Sequence, residues 1–189
     1  MKNSTKTIVG IGLLTAIVIV LQALAISIRF GVFTITLVLA PIIVGAALYG
    51  YKAGAWLGFV FGVVVLFTDA GAFLAVNIPG TIITCILKGV CAGLLAGAVY
   101  LALSKKNKLL AVICAGIAAP VANTGVFLIG CCLFFLDTIK GWAGDTNVGV
   151  FMVTSFVGLN FVVELVINLV LSSVIVQIIN IGKKSLANS

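Results

Sequence analysis

Apolar runs, broken by charges or turn residues, divide the chain into six segments at about 7–28, 33–49, 52–68, 79–103, 109–135 and 150–181. Each is long enough to cross a bilayer as an α-helix, which takes roughly 17–25 predominantly apolar residues. The last three runs are the longest and are expected to tilt or to project beyond the hydrocarbon. The pattern leaves no polar stretch large enough for a second domain. It predicts one all-α integral membrane domain over residues 1–189, a bundle of six transmembrane helices.

Small residues refine the pattern. The stretch from Asn77 to Tyr100 opens on a turn (Asn77, Pro79, Gly80) and then carries Gly89, Gly93 and Gly97 at every fourth position. Gly50, Gly54, Gly58 and Gly62 repeat that spacing through the second turn and the third run. Two grooved helices that pack closely are the expected result. Gly12 and Ala16 form a looser small pair on the first run, facing either the bundle or a partner. Pro41 in the second run and Pro120 in the fifth each remove a backbone donor. Both are expected to bend a helix, and Pro120, next to Asn123 and Thr124, to expose carbonyls to a cavity.

Composition sharpens the class. Of 189 residues 63% are hydrophobic and only 8% charged, against about 25% charged in a soluble domain. The net charge of +7 invites a nucleic-acid partner, but its distribution explains it otherwise. Lys2, Lys6, Lys52, Lys105, Lys106, Lys108, Lys183 and Lys184 all fall on one side of the six-span topology. Arg29 and Lys140 share the other side with Asp69, Asp137 and Asp145. The positive-inside rule then places both termini in the cytoplasm, and nucleic acid is not needed to explain the charge. Tyr49, Tyr51, Trp56 and Tyr100 gather at the inner ends, as an aromatic belt does. The first run ends in Ala23-Leu24-Ala25, like a cleavage site, yet it is longer than a signal-peptide core and is read as an uncleaved span.

Candidate chemistry is sparse. There is no histidine, and Cys85, Cys91, Cys114, Cys131 and Cys132 lie inside apolar runs without metal-type spacing. No cofactor or metal is expected. Lys88 stands alone near the middle of the fourth run, at an insertion cost of about 2.5–3.5 kcal/mol that its surroundings must offset. Thr81 and Thr84 lie above it on one helical face, with Asn77 at the outer mouth. Asn123 sits near the centre of the fifth run, and Asn160, Glu164 and Asn168 stripe one face of the sixth. These groups are expected to converge on a cavity near the midplane, open to the outside. Lys88 and Glu164 either contact a ligand or pair with each other. The outer loop from Leu136 to Gly149 is either a lid or a plain connection. No nucleophile is set beside a base, and Ser155 and Ser172 are weak candidates against Lys88. No Gly-x-x-x-x-Gly-Lys-[Ser/Thr] loop holds ATP. A non-enzymatic binding and translocation subunit, a secondary carrier or a channel remains.

The turn Asn77-Ile78-Pro79 leading to Leu87-Lys88-Gly89 and Ala92-Gly93, with Pro120 to Phe127, resembles the fourth and fifth helices of substrate-specific (S) components of energy-coupling factor (ECF) transporters. The resemblance extends over the whole chain. It implies a cell-membrane protein that binds a vitamin or related micronutrient from outside. Such a protein then topples against a transmembrane coupling protein driven by two ATPases. It also implies that Gly12 and Ala16 stand where the family carries its Ala-x-x-x-Ala docking pair. A lysine beside amides and hydroxyls suits a ligand with a carboxylate and several hydrogen-bonding groups. Pantothenate matches that description; riboflavin, folate and niacin stay open.

Overall fold

The computed structural model describes residues 2–25, 29–30, 33–34 and 37–187. Helix α1 (Lys2–Ala25) leads into a two-residue antiparallel ribbon, β1 (Arg29–Phe30) and β2 (Phe33–Thr34), in which Arg29 faces Thr34 and Phe30 faces Phe33. Then come α2 (Leu39–Tyr49), α3 (Tyr51–Thr68), the single turn α4 (Gly71–Leu74), α5 (Ile78–Leu103) and α6 (Lys108–Phe134). Two short helices, α7 (Leu136–Ala143) and α8 (Val148–Phe151), precede a π-helical turn at Met152–Val157 and the long α9 (Gly158–Ala187). Among the described residues, five helices (α1, α3, α5, α6 and α9) are long and apolar enough to cross a membrane. The molecule is an all-α, multi-pass membrane protein.

Two expectations change here. The second apolar run is not a helix from residue 33. Phe33 and Thr34 pair as a strand, in a stretch whose Thr34-Ile35-Thr36 is β-branched throughout and favours extended backbone. The helix begins at Leu39, and its 11 residues reach only about 16 Å. Pro41 therefore lies in the first turn of α2, where its missing N–H would have no intrahelical acceptor, and it produces no mid-helix kink. The sixth run is also divided: α9 starts at Gly158, which adopts φ +25°, after the π-turn.

Helix α2 is apolar all round because it is surrounded. Leu39, Ile42, Ile43, Val44, Ala46 and Ala47 are buried, and α2 touches α1, α3, α5, α6 and α9. Below the level of Val65 and Cys85 the interior is filled by α2 together with Ala92, Ala96, Val112, Ile175 and Ile179. Around this plug α3 and α5 run antiparallel through the two glycine rows. Gly54, Gly58 and Gly62 lie against the backbone at Gly93, Gly89 and Cys85, and a Cβ on Gly54 would sit 2.5 Å from the Gly93 carbonyl oxygen. Tyr100 is 1% exposed and its hydroxyl accepts from Lys183 Nζ at 3.1 Å. It belongs to the core and not to an interfacial belt, whereas Tyr51 and Trp56 are about half exposed.

Candidate functional site

The polar groups of α5 fall on one face because Thr81, Thr84 and Lys88 are spaced by three and four. Asn77 caps this helix, its Oδ1 accepting from Gly80 N at 3.0 Å, and Pro79 fits the first turn. The face turns into a cavity of about 100 Å³ on the opposite side of Val65 and Cys85 from the α2 plug. Asn123, Thr124 and Phe127 of α6 and Glu164 of α9 line it, with Phe61 and Asp69 from the third helical segment and its end. Lys88, Thr81, Thr84, Asn123 and Glu164, picked out from the sequence, are thus brought together.

Lys88 Nζ is held between two rings, 5.7 Å from the centroid of Phe61 and 5.4 Å from that of Phe127. Such contacts favour a cation by about 0.5–2 kcal/mol each and leave its hydrogen-bond donors to point elsewhere. Among the described residues no carboxylate lies within 4.0 Å of it, so it does not form the ion pair with Glu164 that the sequence left open. Glu164 is 7% exposed. Thr84 Oγ1 and Asn123 Oδ1 are buried without a hydrogen-bond partner. Thr84 fits there because residue 130 is glycine, where any Cβ would collide with the threonine side chain. Thr81 is more committed, since its hydroxyl donates to Asn77 O at 2.7 Å.

Two expected site residues lie elsewhere, and a third cannot be placed from the described residues. Asn77 is a helix cap on the rim of an open groove between Leu74–Pro79 and Leu133–Thr138. Asn168 does not reach the cavity. Its Nδ2 donates to Gly116 O at 3.3 Å. The reason is Pro120: lacking an N–H, it leaves the carbonyl four residues earlier, that of Gly116, without its intrahelical donor. The carbonyl expected to face a cavity is instead taken by Asn168, across a contact that glycine at 116 keeps close. Asn160 lies in the first turn of α9, and its side chain falls outside the described residues.

Sequence reasoning missed the first helix and the roof. Gln22, 1% exposed, donates from Nε2 to Asp69 Oδ2 at 2.9 Å and to Thr68 Oγ1 at 3.3 Å. It is the one amide in the first apolar run, which was signal enough to mark it. Over the cavity, Phe73 is the hub of a ring cluster. It meets Phe127, Phe135, Trp142 and Phe156 edge-on with centroids 5.0–6.0 Å apart. Trp142 comes from α7, so the segment between α6 and α9 packs on this cluster through that ring, while Phe156 is placed by the π-turn.

The model of the substrate-specific component of ECF transporters matches residues 6–179. The chain belongs to this family. No match was found among curated proteins or among solved structures. As an S component it is a substrate-binding transporter subunit and not an enzyme, serving an ECF importer of a vitamin or other micronutrient. Its partners are a small-molecule substrate and the ECF module.

Proposed function

We propose that this S component binds its micronutrient in the cavity between α3, α5, α6 and α9. Lys88 meets an acidic group of the substrate, and Thr81, Thr84, Asn123 and Glu164 complete the hydrogen bonding. The observation that carries this reading is Lys88: a cation cradled by Phe61 and Phe127, with no carboxylate within 4.0 Å among the described residues, beside two buried polar atoms that lack partners. Pantothenate has the carboxylate and the hydrogen-bonding groups and is the first ligand to test. We further propose that uptake is driven by ATP hydrolysis in two ATPases, coupled through a transmembrane protein in the plasma membrane. The basic residues grouped at the ends of α5, α6 and α9 support cytoplasmic termini. The ribbon and α2 together make the sixth crossing.

The test is Lys88→Met in the purified protein, with pantothenate and then niacin, folate and riboflavin titrated in detergent. Loss of a charge-assisted hydrogen bond, about 1.5–3 kcal/mol, predicts binding of the acidic substrate weaker by about 10- to 100-fold. The melting temperature without ligand stays level or rises, because an insertion cost is removed. Ligand-induced stabilisation shrinks in the variant at the same ligand concentration, as mass action requires. Parent-like affinity in Lys88→Met overturns the reading.

A further inference from the structure

Not every charged group on the cavity wall has a close partner within the described residues. Three charged side chains line it, Lys88 of one sign and Asp69 and Glu164 of the other. Asp69 is provided for, since it accepts from Gln22 Nε2 at 2.9 Å and from Thr68 Oγ1 at 3.4 Å. Glu164 is not. It is more than nine-tenths buried and borders the cavity, yet among the described residues no donor hydrogen-bonds to it and no cation lies within 4.0 Å. A carboxylate is an acceptor only, and one left unpaired away from water is strongly disfavoured. Asn123 Oδ1, an acceptor on the neighbouring helix, is unmatched as well.

Resting on the reading that Lys88 takes the acidic end of the substrate, we infer that the substrate is amphoteric, carrying a basic nitrogen that meets Glu164. A simple anion at Lys88 would leave Glu164 without an opposite charge and bring a like charge into the same small space. A molecule with an acid at one end and a protonatable nitrogen at the other meets each wall charge once, the nitrogen taking up a proton as it pairs with Glu164. The rings of Phe73, Phe127 and Phe156 border that space and favour a flat or cationic group between the two ends. Glu164 is then the residue that separates this substrate from plain acids of similar size.

The experiment uses the full-length protein, stripped of ligand in detergent and exposed to an equimolar mixture of four vitamins. Pantothenate is an acid without a basic nitrogen, riboflavin is flat and uncharged, and niacin and folate are acids with ring nitrogens. Native mass spectrometry reads which compound is retained. The expected result is retention of niacin or folate over pantothenate by at least 10-fold. Glu164→Gln, which keeps the size but removes the charge, should weaken that retention 10-fold or more. Without ligand, Glu164→Gln should melt no lower than the parent, since among the described residues the carboxylate has no hydrogen-bond partner to lose. Preferential retention of pantothenate or riboflavin overturns the amphoteric assignment while the Lys88 site stands. So does a Glu164→Gln variant that binds niacin and folate like the parent. A ligand-free variant that melts below the parent reveals a protein partner for Glu164 and overturns it also. Retention of none of the four overturns this assignment and the vitamin site together.

Discussion

At the scale of single residues, the fold separates polar groups that are used up within the protein from those left over. Asn168 is the clearest of the first kind. Pro120 removes the donor that Gly116 O would have had, and Asn168 supplies another from the next helix. Asn168→Ala would leave a buried carbonyl unsatisfied. It should therefore lower stability by about 1–3 kcal/mol, read as a drop in melting temperature, while affinity for the substrate stays within about twofold. Asn77 belongs with it as a cap, and Thr81 partly so. Lys88, Thr84, Asn123 and Glu164 are of the second kind, and they share one cavity. Their depth in the apolar runs made that convergence legible in the sequence. Which amides would be consumed was not legible, because an asparagine's partner depends on which carbonyl the neighbouring helix presents. The phenylalanines were equally silent. Phe73 and Phe156 look like any core residue until the turn that aims them is known.

At the scale of elements, the α3–α5 contact is the most sharply specified. Its glycines meet backbone to backbone at Gly54, Gly58 and Gly62, with no flexible side chain in between to give way. Gly58→Leu must push the helices apart, and overpacking of this kind costs about 1–3 kcal/mol or more. Because Phe61 and Lys88 sit on these two helices, the same change should weaken ligand binding as well as lower the melting temperature; an unchanged melt would contradict the packing. This contact could be read from every-fourth glycine spacing alone, since nothing but close approach explains so regular a row. The second and sixth runs were harder. Hydropathy does not distinguish a buried 11-residue helix preceded by a ribbon from a longer span. A π-turn likewise leaves the apolar count unchanged and shows only in the hydrogen bonds.

At the scale of the whole molecule, α1 stands apart. Val18, Gln22 and Ala25 bury its inner side, whereas Val9, Gly12, Leu13, Ala16 and Val20 are exposed. Nothing lies within 4 Å of where a Cβ on Gly12 would be. If this face meets the coupling protein, Gly12→Leu or Ala16→Leu should abolish uptake by the assembled transporter and leave ligand affinity and melting temperature close to the parent. Loss of folding and affinity together would place the pair inside the bundle. The interior of the molecule has a consequence of another sort. Helix α2 and the side chains packed on it close the protein beneath the cavity, with Ile42 and Ile43 wholly buried and Tyr100 sealed beside them. Among the described residues this packing closes the recess on the α2 side. A bilayer holding this subunit should stay electrically tight whether or not the recess is filled, so the membrane potential of the cell is not spent each time a molecule is held.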